Sequence, residues 1–224
     1  NNSRLTGYGV NANGTINAGV LTELKISTSD LAPQATTELN AVLNLDSRSS
    51  ALSAAAFNLS DPTTYNSSTS VSLYDTLGNP HTFSTYYVKT APDVWEVFAA
   101  NDGVQVGAGS IGTLTFQPDG QIDTTATVSP FPVSVPVATG AVTPLTFDMI
   151  YSGTTQFGSV FSVNALAQDG YTSGRLSGFS VASDGTLQGR YTNGQAATLG
   201  QVVLANFANP QGLQPSGNNV WTET

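Results

Sequence analysis

The chemistry that this chain could perform depends first on His81, its single histidine. A serine triad would need His81 together with an acid and a nucleophilic serine, but the G-x-S-x-G turn that exposes such a serine is absent from the sequence. Because there is no second histidine and no cysteine, a histidine-rich or thiolate metal site is excluded. We therefore expect His81 to form hydrogen bonds at the end of a turn, and we predict no catalytic, cofactor-binding or metal-binding residues.

Two carboxylates, Asp93 and Glu96, flank Trp95 and raise the alternative of a sugar site. Paired carboxylates can hydrolyse a glycosidic bond, and an exposed tryptophan can stack on a sugar ring. Trp95, however, stands at an alternating position of a predicted strand, which favours a place in the core, and Trp221 has the same interpretation. A secreted glycosidase and a carbohydrate-binding or adhesin module remain as alternative functions.

Aspartate-glycine pairs and asparagine sequons are the remaining candidate sites. A calcium loop requires the ligand series D-x-[DN]-x-[DN]-G, which none of the pairs has, so each pair is predicted to be a turn. The N-x-[ST] pattern is short and recurs by chance in a chain rich in Ser and Thr, so it does not predict glycosylation. The pairs are Asp102-Gly103, Asp119-Gly120 and Asp184-Gly185, and the sequons begin at Asn13, Asn58 and Asn66.

The composition excludes further classes of function. Six Lys and Arg side chains are scattered singly among 15 Asp and Glu side chains, so no basic stripe is available to bind nucleic acid. No apolar run approaches the roughly 18 residues of a membrane span, and residues 1–16 lack the charged start and apolar core of a secretory signal. The 224 residues include no cysteine, so stability must come from packing and from hydrogen bonds within sheets.

The elements that must position these residues are predicted to be strands. Residues 38–45 place leucine or alanine at every second position, which is the period of a half-buried strand. The β-rich runs 70–74 and 82–88 flank the turn residues 75–80, which predicts a hairpin with His81 close to its turn. The sequence thus predicts an all-β fold without a long helix.

Turn chemistry marks further boundaries along the chain. Asp61-Pro62 is expected to open one short helical turn, because proline fits the first helical position. The proline-rich stretch 128–144 is poor in backbone donors and is predicted to be an edge or connecting segment. Four hairpin turns are predicted at Asn13-Gly14, Asp119-Gly120, Asp184-Gly185 and Asn193-Gly194.

The C-terminal part of the chain carries a series of motifs in a fixed order. Residues 170–195 read GYTSGRLSGFSVASDGTLQGRYTNGQ, and residues 199–224 read LGQVVLANFANPQGLQPSGNNVWTET. Together they resemble the flagellar hook and rod proteins. The segment 70–102 resembles one that hook proteins carry and rod proteins generally lack, so a hook protein is favoured and a distal rod protein is the alternative.

The resemblance implies two β-rich domains with antiparallel, barrel-like sheets, one inserted into the other. Combined with turn chemistry, it predicts an outer domain at residues 37–152 and a discontinuous mid-radius domain of residues 1–36 plus 153–224. The chain would cross between the two domains at residues 32–35 and 151–154. The start of the chain, SRLTGY, resembles a segment inside hook proteins, so we expect a central fragment that lacks the helical termini.

The resemblance also implies a function. It predicts a structural, non-enzymatic subunit of the bacterial flagellar hook, the curved flexible tube that acts as a universal joint between motor and filament. The partners would be other hook subunits in a helical homopolymer, rod and hook-filament junction proteins at the tube ends, and the hook cap during assembly. The place would be extracellular, after export by the flagellar secretion apparatus without a cleaved signal peptide. The fragment alone is expected to be monomeric.

Overall fold

The computed structural model of the chain describes residues 4–11, 14–27, 29–204, 206, 209–217 and 221–223. Helical structure in these residues is confined to three single 3-10 turns, at Ala54–Ala56, Pro62–Thr64 and Pro210–Gly212. No described helix has the length and apolar character that a membrane span requires. The turn predicted at Asp61-Pro62 is confirmed, with the Asp61 carboxylate accepting the backbone N–H of Thr63 as an N-cap.

Strands supply almost all of the regular structure, which confirms the predicted all-β fold. Among the described residues, every pair of neighbouring strands is antiparallel except β3 with β10. The sixteen strands of the described residues are β1 (Thr6–Val10), β2 (Ile16–Glu23), β3 (Glu38–Asn44), β4 (Ser67–Tyr74), β5 (Pro80–Ala91), β6 (Val94–Asn101), β7 (Val104–Gln105), β8 (Gly112–Thr115), β9 (Phe131–Val135), β10 (Leu145–Ile150), β11 (Ser162–Gln168), β12 (Leu176–Val181), β13 (Thr186–Tyr191), β14 (Ala196–Val202), β15 (Leu213–Pro215) and β16 (Trp221–Glu223).

The chain divides into two compact units. The inserted unit is Ala32–Ser173, and the discontinuous unit joins Asn1–Leu31 with Gly174–Thr224. The inserted unit is longer than the 37–152 that the sequence predicted, because β11 pairs with β3 and so brings the residues after 152 into this unit. The second crossing therefore lies near residue 173 and not at 151–154.

The inserted unit consists of two sheets that share one core. One sheet has the order β4-β5-β6-β7, with β8 also paired to β6, and the other has the order β11-β3-β10-β9. In β3 the predicted alternation is confirmed, since Leu39, Ala41 and Leu43 are wholly buried. The rings of Phe83 and Phe147 meet edge to face across the core, with 5.2 Å between their centroids. Burial of apolar side chains between two sheets therefore stabilises this unit.

The strands of the first sheet follow the predicted hairpin. β4 and β5 pair in the register that sets Leu73 opposite His81, with the turn at residues 75–79 between them. The proline-rich stretch 128–144 contains β9, which is the edge strand next to β10, as its shortage of donors predicted.

The discontinuous unit contains a five-stranded sheet of order β12-β13-β14-β1-β2 and a separate pair, β15 with β16. Its tight turns use the predicted glycines, with φ of 81° at Gly185 and 82° at Gly194. At the predicted first turn, Gly14 also has a left-handed φ of 72°, while Asn13 lies outside the described residues. These turns close the hairpins β12–β13, β13–β14 and β1–β2, and β14 pairs with β1 to join them in one sheet.

Candidate functional site

His81 lies at one end of the first sheet, in a cluster of polar side chains that we call the end cluster: Asp75, Asn79, His81, Asp102 and Thr139. The β4–β5 turn brings Asp75 and His81 together, because the backbone N–H of Gly78 bonds the carbonyl of Asp75 at 3.0 Å. Gly78 has a φ of 81°, and an added Cβ would stand 2.7 Å from the Cβ of Pro33, so only glycine fits there.

The imidazole of His81 bridges two carboxylates. Its Nδ1 lies 2.7 Å from Oδ2 of Asp102, and its Nε2 lies 3.3 Å from Oδ2 of Asp75. Carboxylates only accept hydrogen bonds, so both ring nitrogens must carry protons if both contacts are to be favourable. His81 and Asp75 are almost completely buried, whereas the side chain of Asp102 is half exposed. The geometry therefore favours the charged imidazolium.

Asp75 is buried but well supplied with donors. Its Oδ1 accepts the backbone N–H groups of Leu77 and Asn79, each at 2.9 Å, and its Oδ2 accepts the Asn79 amide at 2.8 Å and the Thr139 hydroxyl at 2.5 Å. With His81 added, the carboxylate receives five contacts. Such a set of partners is what a buried carboxylate needs in order to remain ionised.

The same contacts set the ionisation of the cluster. Burial by itself would lower the pKa of His81, but its hydrogen bonds to Asp102 and Asp75 outweigh burial and raise the pKa above the ordinary value of 6.5. Burial would raise the pKa of Asp75, yet the hydrogen bonds from Thr139, Asn79 and His81 hold that pKa far below its usual range. At and below about pH 6.5 the cluster is thus a buried cation between two anions.

The end cluster connects three segments of the inserted unit. Asp75 belongs to the β4–β5 turn, Asp102 to the β6–β7 hairpin and Thr139 to the segment between β9 and β10. Both ring nitrogens of His81 are engaged by carboxylates and neither faces a serine hydroxyl. The cluster fits a structural bridge between loops. It does not have the arrangement of a nucleophile and its base.

The alternative sugar site does not assemble around Trp95. The indole is wholly buried, and its Nε1 donates to Oε1 of Gln156 at 2.5 Å. Asp93 accepts the amide of the same Gln156 at 2.7 Å, while Glu96 follows Trp95 in β6 and so projects from the opposite face of the sheet. A buried indole offers no face to a sugar ring. The two carboxylates do not converge on one cleft. The core position predicted for Trp221 is wrong, since this side chain is 59% exposed in β16.

The aspartate-glycine pairs form turns, as their sequence predicted. Gly103, Gly120 and Gly185 all have φ between 80° and 82°, the left-handed conformation that such turns require. Among the described residues, no group of three or more His, Cys, Asp or Glu side chains could hold a metal ion.

The sequons show two different settings. Asn58 accepts the backbone N–H of Ser60 at 3.0 Å within its own turn. Asn66 accepts the backbone N–H of Lys89 at 2.7 Å and donates its amide to the carbonyl of Ser50 at 3.0 Å, so this amide ties the start of β4 to two neighbouring segments. Asn13 lies outside the described residues.

Sequence reasoning missed three residues that the fold brings into these clusters. Thr139 and Gln156 reach Asp75 and Trp95 from segments more than 60 residues away, and no local pattern marks them. Asn101 lies beside Asp102 and is buried, although a run of apolar residues before it offered no sign of a polar requirement. The burial of Asn101 could be predicted only by knowing which strands pair with β6.

Comparisons with known proteins agree with the architecture. A family model described as the flagellar basal body protein FlaE D2 domain matches residues 44–171, most of the inserted unit. The chain is 34% identical over 197 residues to the flagellar hook protein FlgE of Salmonella typhimurium, covering 87% of this chain and 48% of that protein. It is 34% identical over 229 residues to FlgE of Escherichia coli K12, covering 99% of this chain and 55% of that protein.

A solved structure supports the same fold. The crystal structure of Helicobacter pylori flagellar hook protein FlgE2 aligns with a TM-score of 0.66 over 97% of this chain and 80% of that chain, at 10% sequence identity. The chain spans about half the length of the two relatives named above.

Proposed function

The chain belongs to the flagellar hook protein family, and from this premise we propose that it is part of a structural subunit of the bacterial flagellar hook. This is a family of structural proteins, not of enzymes. The observation that carries the proposal is the identity of 34% to the Escherichia coli hook protein along 99% of this chain. The subunit would polymerise into the curved, flexible tube that passes motor torque to the filament outside the cell.

A tubular polymer sets requirements that the chain meets. A helical tube needs heterologous contacts that do not close, so each subunit must present two different surfaces to its neighbours. The inserted unit contains eleven Asp and Glu side chains against two Lys and Arg side chains, whereas the discontinuous unit contains four of each. The two units therefore offer electrically different surfaces to neighbouring copies.

The negative charge of the inserted unit also affects how easily the tube can bend. Contacts that must slide as a joint bends are better made by polar, hydrated surfaces than by large apolar ones. Repulsion between the anionic inserted units of adjacent subunits would keep those units from packing tightly. The abundance of Ser, Thr, Asn and Gln in the sequence adds hydrogen-bonding groups that can exchange partners with water.

A chimera tests the assignment. This chain would replace the matching 55% of the Escherichia coli hook protein, and electron cryomicroscopy would examine what the chimera forms in cells that lack their own hook protein. The unaltered Escherichia coli protein is the control. A curved tube is expected. A straight, rigid tube would favour a distal rod protein, and a folded chimera that forms no tube would contradict the proposal.

The division of labour between the units can be tested in the same cells. We expect the inserted unit to make the axial contacts that set curvature and the discontinuous unit to form the tube wall. Leu31 and Gly174 exchange two backbone hydrogen bonds of 2.7 and 3.2 Å, so a short glycine-serine linker can join them when Ala32–Ser173 is deleted. Tubes with lost or altered curvature are expected, and normal curvature would refute this role. Rod and junction proteins at the tube ends, and a cap during assembly, are the further partners that this function entails.

A further inference from the structure

One buried polar atom in the described residues has no hydrogen-bond partner, the side-chain oxygen of Asn101. Asn101 is the last residue of β6, and only 6% of it is exposed. An unpaired acceptor in such a place costs stability, which most buried groups avoid by finding a donor. A cost of this kind is common at binding sites.

The orientation of the Asn101 amide is fixed by its neighbour. Its Nδ2 donates to Oδ2 of Asp102 at 3.2 Å. If the amide were turned over, its oxygen would face a carboxylate oxygen, and two acceptors would repel each other. The open position on Asn101 is therefore an acceptor, and the group that satisfies it must be a donor.

Asn101 lines a cavity of about 360 Å³ at the end of the first sheet, which we call the end cavity. Its other polar lining comes from Asp102 and Gln105, and the rest of its wall is apolar: Val104, Val106, Val135, Pro136, Val137 and Ala138. A ligand that fits this lining has an apolar stem and a head that donates hydrogen bonds.

The charge around the end cavity favours a cationic head. Asp102 is half exposed at this site, and its carboxylate is ionised because the contacts with His81 and Thr82 hold its pKa below the usual range despite partial burial. His81 contacts Asp102 from within the end cluster, and the two Lys and Arg side chains of the inserted unit are occupied elsewhere. Arg48 pairs with Asp46 at 2.8 Å, and Lys89 donates to the carbonyl of Ser47.

We propose that the end cavity binds the side chain of a lysine or arginine, with the stem between the valines and the head on Asn101 and Asp102. The donor is a second copy of this chain, an assignment that rests on the proposed function. The discontinuous unit carries exposed cations that suit this role. The side chains of Lys25 and Arg175 are 74% and 80% exposed and have only loose ion pairs of 3.8 Å, and Arg190 is exposed on β13. The contact joins two different surfaces, as an open helical polymer requires.

Small cations test the end cavity directly. The chain would be titrated with n-butylammonium and with n-butylguanidinium, and the methyl signals of Val104, Val106, Val135 and Val137 would be followed by NMR. n-Butyltrimethylammonium is the matched probe, because it has the same stem and charge but no N–H donor. We expect saturable shifts confined to these valines. The trimethylated probe should bind about tenfold more weakly, because its head cannot donate a hydrogen bond to the charged acceptor pair.

A variant separates binding from folding. Asn101→Leu removes the acceptor and keeps an apolar side chain, so it should weaken n-butylammonium about tenfold while leaving the urea midpoint unchanged or higher. Equal shifts with all three probes, shifts scattered over the surface, or unchanged binding by Asn101→Leu would overturn the proposal. Because these titrations need no polymer, their result is independent of whether the chain forms a hook.

The second copy is tested in the tube-forming chimera. Gln105→Lys sets a positive charge at the end cavity without removing a contact of the end cluster, and Ser60→Lys makes the same charge change at an exposed turn of the inserted unit. Gln105→Lys should abolish tube formation or change the form of the tube, and Ser60→Lys should not. One of Lys25→Glu, Arg175→Glu and Arg190→Glu should then restore the normal tube. Normal tubes with Gln105→Lys, or no rescue by any of the three, would refute the second copy as the donor.

Discussion

Replacing His81 by glutamine should destabilise the inserted unit in a manner that depends on pH. The imidazolium supplies two hydrogen bonds to charged groups, one to buried Asp75 at 3.3 Å and a shorter one to half-exposed Asp102 at 2.7 Å. Hydrogen bonds of this kind contribute about 1.5–3 kcal/mol each when well formed. The first is long and the second is partly screened by water, so we expect a total loss of about 2–3 kcal/mol below pH 6.

The loss should be smaller than that of a fully broken buried ion pair, which is about 3–5 kcal/mol. Asp75 keeps four other donors when His81 is removed, namely two backbone N–H groups, the Asn79 amide and the Thr139 hydroxyl. The buried carboxylate is therefore not left without partners. A second substitution, Thr139→Val, should have a larger effect in the His81→Gln background than in the native chain, because the two donors serve the same oxygen.

The pH dependence has a definite sign. The pKa of His81 in the folded chain is raised above the ordinary value of 6.5, so the folded state binds the proton more tightly than the unfolded state. The stabilisation from His81 is fully present below about pH 6.5 and is lost as the pH rises through the folded-state pKa. The free energy of unfolding of the native chain should fall over that range, by at most about 1.4 kcal/mol per pH unit.

Urea unfolding between pH 5.5 and pH 9.5, followed by far-ultraviolet circular dichroism, measures this dependence. The difference in unfolding free energy between the native chain and His81→Gln isolates the histidine, since all other titrating groups are common to both. Arg48→Gln, which removes an exposed ion pair, is the control and should give a difference that does not vary over this range. A constant difference between native and His81→Gln chains would refute the charged bridge.

Further predictions concern the core, the turns and the assembly state. Gly120→Ala should lower the free energy of unfolding by about 2 kcal/mol or more, because φ is +82° and the new Cβ would stand 2.8 Å from a backbone oxygen. Gly109→Ala is the control: its new Cβ meets no atom within 4 Å, so it should be neutral in thermal unfolding. Trp95→Phe should cost about 2 kcal/mol in urea unfolding, because it loses both volume and a buried hydrogen bond to a glutamine side chain. Burial raises the pKa of Tyr87 to about 12 and holds the pKa of Tyr151 well above its usual value, so neither should ionise near pH 10 in an ultraviolet titration. Ionisation of all eight tyrosines near pH 10 would contradict this burial. The chain alone should sediment as a monomer, and filaments that grow with concentration would contradict that expectation.

The local features of the fold could be predicted from the sequence. The alternation in residues 38–45, the turn residues 75–80 and the glycines of the hairpins each depend on neighbours a few residues apart, and the structure follows them. The N-cap at Asp61 is of the same kind. The ordered motifs near the C-terminus identified the family, because a series of matches in fixed order is specific even where each match is short.

The boundary of the inserted unit could not be predicted in this way. It depends on β11 pairing with β3, strands that are more than 100 residues apart, and on Asp169 accepting the backbone N–H groups of Thr37 and Glu38 at 2.8 and 3.0 Å. The parallel pairing of β3 with β10 is equally remote in sequence. Strand order is decided by which sheet buries a given apolar face, and no local pattern contains that information.

The end cluster shows both sources of information in one place. The sequence by itself determined a turn with Asp75 and His81 six residues apart, and it indicated a hydrogen-bonding histidine. Only the tertiary structure decided that Asp102 would meet the other ring nitrogen, through the register of β5 with β6, and that Thr139 would complete the shell of Asp75. The reason is physical: turn chemistry acts between neighbours along the chain, whereas the burial and charge of a side chain depend on segments that only the folded chain brings together.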